Sequence, residues 1–267
     1  MIYNVKGNKI IDPLDTFANN VNIDYEFDSS GNVNYSCIRV YRKKIDGTLQ
    51  YPFVYAPFGV EHCSWSTLDM NLIKRFPLAI NAGIFDTSDT TPVGVVIQNG
   101  VLIQDGPAGT QTERRTLTID GNGNLASVAD DSNGAALVSN GIVSAVCGFG
   151  PIIVDYEAAD VSYIPNRNDN AQRQIFGQFG NGDYCILTCE GRNHDHSDGW
   201  TMAEAQAVCQ KLGLKFAFNL DGGGSTETVF GGRQINTIYE GSTGRKVPTF
   251  IVFNGSSTFG EMNMYGD

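Results

Sequence analysis

The sequence predicts an α+β fold in which large, twisted and mainly antiparallel sheets carry a few flanking helices. Turns rich in Asn and Gly recur between short apolar runs through the middle of the chain, and such turns typically join antiparallel strands. Two stretches carry capping signals of helices. We expect one domain over residues 35–267, preceded by a polar, irregular extension over residues 1–34.

Strands are expected where apolar residues alternate with polar ones or form short runs. One strand begins at Tyr35, a second covers residues 51–55, and a short buried strand covers residues 78–80. Turns that supply positive φ angles to hairpins are expected at positions 99–100, 121–124, 140–141, 181–182 and 231–232.

The two helices are predicted from their N-termini. Ser66 followed by Asp69 resembles a capping box, and it predicts a helix that ends near residue 75. Thr201 with Glu204 three residues later predicts a second helix, which ends before Gly213. The capping position therefore explains Glu204 better than a catalytic role does.

The formal net charge of −11 argues against nucleic acid or an anionic membrane surface as the main partner. No apolar run is long enough to span a bilayer, and the first residues lack the pattern of a secretory signal. The six cysteines form no CxxC pair and are expected to be mostly reduced and buried. We expect a soluble protein in the cytosol of the producing cell; association with a phage particle and the oligomeric state stay open.

The segment from residue 216 to 226 is the strongest candidate site. An apolar run ends in Asn219 and Asp221, and three glycines, Ser225 and Thr226 follow. Gly222, Gly223 and Gly224 carry no side chains, so the backbone can approach a ligand closely and present N–H groups to it. A tight turn around a buried aspartate is the structural alternative.

Weaker candidates lie at other predicted strand ends. Glu190 and Arg192 follow a strand and share one face of it, whereas Arg173 stands at a strand start. The turn at residues 81–86 carries Asn81 and Asp86. The loop around His194 and His196 has no third ligand at an obvious spacing, so we interpret it as a surface loop and expect no metal site.

Several of these segments, in this order, resemble the phosphodiester glycosidase family. The segment at residues 219–225 matches that family's NLDGGGS motif outright. The other similar segments are residues 81–86, 91–94, 99–100, 172–177, 190–192, 199–204 and 245–248. The sequence departs from the family pattern at Gln174, at Glu190 and at Gly244, where an acidic residue is expected. The chain is identified as a bacterial or phage-type member.

The resemblance implies a hydrolase that cleaves the C1–O bond of a sugar-1-phosphodiester, a small glycosyl-phosphate or nucleotide-sugar substrate. Phosphate leaves as an anion and needs cations more than protonation. The carboxylates expected to assist attack at C1 are Asp221 and, second, Glu190. Arg173, Arg192 and Arg245 are expected to hold phosphate. The remaining expected binding residues are Asn81, Asp86, Asn219, Gly222, Gly223, Gly224, Ser225 and Thr226.

Two other functions stay open at this stage. The domain could bind a phosphorylated sugar or nucleotide without cleaving it, and the departures at Gln174 and Gly244 permit this. It could also be a phage particle protein that acts on a cell-wall polymer. We expect no cofactor, although a divalent cation that assists the phosphate is left open.

Overall fold

The computed structural model describes residues 2–5, 8–11, 23–28, 32–44, 47–59, 64–106, 114–129, 133–192, 197–238 and 244–253. These residues form three β-sheets, three α-helices and one short 3₁₀ turn. The helices are α1 (Thr67–Lys74), α2 (Gly134–Ser139) and α3 (Met202–Lys211). This architecture confirms the predicted fold class. No helix in the described ranges is long and apolar enough to cross a membrane.

The largest sheet has nine strands, and it carries most of the candidate site. Strands β1 and β3 pair in parallel, whereas the other neighbours are antiparallel. In spatial order the strands are β13 (Glu157–Ala158), β12 (Gly150–Val154), β16 (Leu214–Asn219), β14 (Arg173–Phe179), β15 (Tyr184–Cys189), β4 (Tyr35–Val40), β3 (Ile23–Asp28), β1 (Ile2–Val5) and β2 (Asn8–Ile11).

The two smaller sheets have five strands each and are antiparallel throughout. One contains β10 (Leu125–Ala129), β9 (Arg115–Asp120), β11 (Ile142–Gly148), β7 (Val95–Gln98) and β8 (Val101–Asp105). The other contains β18 (Arg233–Gln234), β17 (Thr228–Phe230), β6 (Leu78–Asn81), β19 (Phe250–Phe253) and β5 (Pro52–Tyr55).

The three sheets share one hydrophobic core, because alternate residues of a strand point to opposite faces. Phe176 of β14 and Ile80 of β6 face this shared core. Their neighbours Ile175 and Ala79 face outward, where they pack in the separate clusters that contain residues of α3 and α1 respectively. The central residues of these two strands are therefore apolar on both faces, which explains why adjacent positions in each of them are apolar.

Most of the predicted turns and caps are confirmed. Thr201 and Glu204 form a complete capping box on α3, and Ser66 caps α1 by accepting the N–H of Asp69. The turns at 99–100, 121–124, 181–182 and 231–232 join antiparallel strands. The hairpin predicted at 140–141 is wrong, because Gly141 follows the short helix α2 rather than a strand.

The expectation of irregular structure before residue 34 is also wrong in part. Strands β1, β2 and β3 extend the largest sheet, with β3 paired to β4 over its full length. Period-2 patterning is hard to recognise in strands of four to six residues. The expected division of the chain at residue 34 stays a prediction.

Substitution Thr201→Ala should destabilise the protein by about 1 kcal/mol, because it removes the acceptor that satisfies the N–H of Glu204 at the start of α3. Urea unfolding monitored by circular dichroism measures the difference. The exposed Thr87→Ala is the matched control and should change the unfolding free energy by less than about 0.5 kcal/mol. Equal effects of the two substitutions would contradict the role assigned to the cap.

Candidate active site

Three strand ends meet at one edge of the largest sheet. Because β14 is antiparallel to both of its neighbours, its first residue lies beside the last residues of β15 and β16. Arg173 is paired with Cys189, and Ile175 is paired with Asn219. This topology brings together polar segments that lie up to about fifty positions apart in the sequence, including Arg192 and Asp221.

A cavity of about 240 Å³ opens at this edge. Asp221 is the only carboxylate among the described residues that line it, and three arginines line it as well. The full lining is Phe149, Pro165, Asn166, Ala171, Gln172, Arg173, Arg192, Asn219, Asp221, Gly222, Gly223, Gly224 and Arg245.

Asp221 is fixed at the junction of two sheets. Its N–H donates to the carbonyl of Ala82 at 3.0 Å, and its own carbonyl accepts from Nδ2 of Asn81 at 2.8 Å. Its Oδ1 accepts the N–H of Gly222 at 3.0 Å, and the Ser225 hydroxyl also donates to the carboxylate. Burial raises the Asp221 pKa to about 6, although these hydrogen bonds and the charge of Arg245 oppose the rise.

Two of the three glycines are required by close approaches. A Cβ at position 222 would lie 2.8 Å from the carbonyl oxygen of Gln172. Gly223 has a φ of 58°, and a Cβ there would lie 2.9 Å from Nη2 of Arg192. The glycines therefore let β14 and the guanidinium of Arg192 lie directly against the turn.

The backbone N–H groups of the turn are largely engaged within the protein. Gly222 donates to Asp221, Gly223 donates to Gln172, and Ser225 donates to the carbonyl of Gly222. The N–H of Thr226 donates to the carbonyl of Gly223. Of the three glycines expected to present N–H groups to a ligand, Gly222 and Gly223 therefore use theirs within the protein, and a ligand contact of this turn stays a prediction.

Arg173 is held in one orientation by three backbone carbonyls. Its Nε donates to Trp200 at 3.0 Å, and its Nη2 donates to Asn166 and Asp169 at 3.1 and 2.9 Å. Burial lowers the pKa of its guanidinium. These bonds occupy Nε and Nη2, so Nη1 is the part of the fork that can meet a ligand.

Arg192 and Arg245 complete the cationic side of the cavity. Arg192 is exposed, and its left-handed backbone, with a φ of 59°, turns the chain after β15. Nη1 of Arg245 lies 3.5 Å from Oγ of Ser225, which itself donates to Asp221. The charge of Arg245 therefore acts on the Asp221 carboxylate directly and through this hydroxyl.

Two buried acceptors of the cavity lining have no hydrogen-bond partner within the described residues. They are Oε1 of Gln172 and Oδ1 of Asn219, both nearly inaccessible to solvent. Nε2 of Gln172 donates to the carbonyl of Gly191 at 3.2 Å, which fixes the orientation of its amide. Buried acceptors are usually paired, so this cavity offers two sites that suit a donor such as a sugar hydroxyl. Asn219 was predicted from its strand end, whereas Gln172 was missed.

Several expected site residues lie outside the cavity lining. Oε1 of Glu190 accepts the N–H of Thr237 at 2.7 Å, and the amide of Asn81 is engaged by Asp221 and by the N–H of Glu227. Asp86 is on the surface, where its bonds to Ser88 lower its pKa. Ser225 and Thr226 are buried behind the glycines. The predicted ligand contacts of these residues stay predictions.

The two other departures from the family pattern have structural explanations. Gln174 is buried in a polar network with Thr188 and Thr228, away from the cavity lining. A Cβ at position 244 would lie 2.8 Å from Oε2 of Glu227. A buried carboxylate therefore lies next to Gly244. It belongs to Glu227, the residue directly before β17, and not to position 244.

Glu227 was missed by the sequence analysis. Its carboxylate accepts the N–H groups of Thr67 and Leu68 at 2.7 and 3.3 Å, at the N-terminus of α1. Burial raises its pKa to about 7 against these stabilising bonds. The signal in the sequence is a charged residue directly before the buried run 228–230.

A sequence model of the family named phosphodiester glycosidase matches residues 74–254, which include every residue of the cavity lining. The chain belongs to this family. The match also makes the chain a member of a hydrolase family, as the resemblance implied.

Relatives agree with this membership. The SPbeta prophage-derived uncharacterized protein YomE of Bacillus subtilis (strain 168) is 29% identical over 216 residues, which are 79% of this chain and 32% of that protein. The chain thus spans about a third of the length of this relative. The match supports a bacterial or phage-type member of the family.

Solved structures share the fold. The catalytic domain of zebrafish N-acetylglucosamine-1-phosphodiester alpha-N-acetylglucosaminidase, auto-inhibited by its pro-peptide, superposes with a TM-score of 0.67 at 18% identity, over 87% of this chain and 81% of that chain. A hypothetical protein from Synechocystis superposes with a TM-score of 0.61 at 14% identity, over 88% and 62% of the two chains.

The expected absence of a metal site stays a prediction. Among the described residues there is no group of three or more His, Cys, Asp or Glu side chains that could hold a metal ion. The loop of His194 and His196 lies outside the described residues.

The raised pKa values of Asp221 and Glu227 predict how stability depends on pH. The folded state binds more protons than the unfolded state, so each group lowers the unfolding free energy as pH rises. The window runs from 3.8 to about 6 for Asp221 and from 4.5 to about 7 for Glu227. Urea unfolding at several pH values from 4 to 8 measures this decline.

Glu227→Gln should flatten the decline up to about pH 7, and Asp221→Asn should flatten it only up to about pH 6. Asp86→Asn is the matched control, because the pKa of that exposed carboxyl is lowered rather than raised. If the curves of both variants ran parallel to that of the wild type, the burial of these two carboxylates would be refuted.

Proposed function

We propose that this protein hydrolyses the bond between C1 of a sugar and the oxygen of a phosphodiester. The observation that carries the proposal is the composition of the cavity, in which one carboxylate faces three arginines. The reaction needs a group that assists attack at C1 and cations that stabilise the departing phosphate. Family membership supports the reaction class, and the name of the zebrafish enzyme of the same fold specifies an N-acetylglucosamine-1-phosphodiester.

Arginines suit the phosphate side of this reaction because a guanidinium can hold two phosphate oxygens with parallel hydrogen bonds. In the proposal, Nη1 of Arg173 meets one oxygen from a fixed position. Arg192 approaches from the exposed side of the glycine turn, and Arg245 lies nearest to the carboxylate. The three arginines and one aspartate make the cavity locally positive, although the chain as a whole has a net charge of −11.

Asp221 is the carboxylate that assists attack at C1. Its Oδ1 is held by Gly222, so the group has a fixed orientation towards the cavity. With a pKa of about 6 it is mainly ionised at neutral pH, as a nucleophile or general base must be. Phosphate is a weakly basic leaving group, so the reaction does not need a second carboxyl group as a general acid. No cofactor takes part in this scheme.

The unpartnered oxygens of Gln172 and Asn219 select the sugar in this proposal. Both are acceptors, so they favour groups with hydrogen to donate, such as ring hydroxyls. A ligand that left these acceptors unpaired would bind less tightly by about 1–3 kcal/mol for each of them. Sugar hydroxyls are therefore favoured over an apolar group at this end of the cavity.

The direct test measures free sugar released from UDP-N-acetylglucosamine and from a panel of simple sugar-1-phosphodiesters. Asp221→Asn should lower kcat by at least about 1000-fold while substrate still binds. The matched variant Glu190→Gln should keep near wild-type turnover, because an amide oxygen can still accept the N–H of Thr237.

Loss of turnover in Glu190→Gln with normal turnover in Asp221→Asn would reverse the assignment of the two carboxylates. Tight binding of an intact substrate by the wild type, without release of sugar from any compound, would favour a binding module instead.

Arg192→Ala should lower kcat/KM by about 10- to 100-fold, the effect of losing one charge-assisted hydrogen bond to phosphate. Arg192→Lys should recover part of the loss, since it keeps the charge without the planar fork. Steady-state kinetics with one phosphodiester substrate measures both. Arg75→Ala, an exposed arginine on another surface, is the control. Wild-type kinetics in Arg192→Ala would remove Arg192 from the phosphate site.

A further inference from the structure

A second and larger groove lies next to the catalytic cavity. It has a volume of about 470 Å³ and runs between β10, at the edge of one five-stranded sheet, and the β12–β16 pair of the largest sheet. The lining residues are Arg115, Asn124, Leu125, Ala126, Ser127, Val128, Ala129, Pro151, Val154, Asp155, Gln178, Lys215 and Phe216.

The groove has a local excess of positive charge. Arg115 and Lys215 line it together with one carboxylate, that of Asp155, although the whole chain has 29 acidic and 18 basic residues. The side chain of Lys215 is exposed, and the guanidinium of Arg115 stacks on the ring of Tyr163 at 4.3 Å. Two cations beside one anion favour an anionic ligand in this groove.

The groove and the catalytic cavity are connected through adjacent residues. Arg114 is close enough to Asp221 to lower its pKa, whereas the next residue, Arg115, lines the groove. On the opposite wall, Phe149 lines the cavity and Pro151 lines the groove. The two walls meet at Gly150, where a Cβ would collide with Tyr163 and lie 3.0 Å from Cγ of Arg115.

Phe149 and Pro151 are two positions apart in the sequence, so the cavity and the groove adjoin along this wall. A substrate chain with several anionic groups can therefore extend from the cavity into the groove. Gly150 lets Tyr163 and Arg115 pack directly against the backbone between the two openings, since a Cβ at this position would collide with Tyr163.

The groove is held in a fixed shape. Oε1 of Gln178 accepts the N–H of Leu125 at 3.0 Å, and its Nε2 donates to the carbonyl of Gly123 at 3.0 Å. These bonds fasten the β9–β10 hairpin to β14 beneath the groove. Because the groove is preformed, its own residues lose little conformational entropy when a substrate chain binds.

We propose that this groove is a second subsite, which binds a further phosphodiester group of a substrate in which several sugars are joined through phosphates. The inference rests on the proposed function of the neighbouring cavity and specifies its substrate as a polymer. A nucleotide sugar is disfavoured as the occupant, because its two phosphates are adjacent and would both lie at the catalytic arginines.

The test compares kcat/KM for synthetic oligomers that contain one, two or four sugar phosphodiester units. The wild type should prefer the longer oligomers by at least about fivefold, which corresponds to about 1 kcal/mol. Lys215→Glu should abolish this preference. Lys211→Glu, an exposed lysine outside the groove lining, is the matched control and should retain it.

Binding is measured separately with the Asp221→Asn variant, so that the subsite is tested even without turnover. Calorimetry should give a lower Kd for the four-unit oligomer than for the one-unit compound, and Lys215→Glu should remove the difference. Equal affinity for both lengths would overturn the subsite.

Absence of turnover on every substrate, with a preserved difference in Kd between the oligomers, would instead refute the proposed reaction and keep the subsite. A UDP-sugar that lost affinity in Lys215→Glu would also overturn the polymer assignment.

Discussion

The carboxylate of Asp221 lies where two sheets meet, and its charge is compensated by a hydroxyl, a backbone N–H and nearby arginines. A carboxylate removed from water at this point would be protonated at neutral pH without such partners. The glycines after it leave space for the carbonyl of Gln172 and for the guanidinium of Arg192 to lie against the turn.

Backbone carbonyl groups orient the most buried arginine of the cavity, Arg173. These three carbonyl groups occupy its Nε and Nη2 and leave Nη1 directed to a ligand. Antiparallel pairing of β14 with β15 and β16 puts its first residue beside the two other polar strand ends. The same arrangement leaves unpaired acceptors and carboxylates with raised pKa values, which reduce stability at the site. Such a site is preorganised for a ligand rather than optimised for the free protein.

Local signals allowed much of the fold to be predicted. Capping residues such as Thr201 and turn pairs such as Asn99 with Gly100 act within a few positions of the chain, so their effect is visible in the sequence. The turn at 140–141 was misinterpreted because a glycine with positive φ ends a short helix as readily as it turns a hairpin. The sheet order was not predictable, since it depends on pairings such as that of β15 with β4, far apart in the sequence.

The candidate site was predictable only where neighbouring residues in the sequence define it. Asp221 and its glycines form one contiguous segment, whereas Gln172 enters the cavity through its pairing with that segment across the sheet. Glu190 lies at the end of a strand, as predicted, and its carboxylate accepts the N–H of Thr237. No pattern in the neighbouring sequence indicates this contact. The role of Glu227 depends on α1, about 160 positions earlier. A single sequence gives no indication of which residues separated by this many positions will be in contact.

The central claim is that the protein breaks the bond at C1 of the sugar rather than a bond to phosphorus. The most direct test is hydrolysis of a sugar-1-phosphodiester in water labelled with ¹⁸O, followed by mass spectrometry of both products. Attack at C1, assisted by Asp221, places the label on the released sugar and leaves the phosphate unlabelled. Label on the phosphate would show attack at phosphorus and would contradict the mechanism assigned to this cavity.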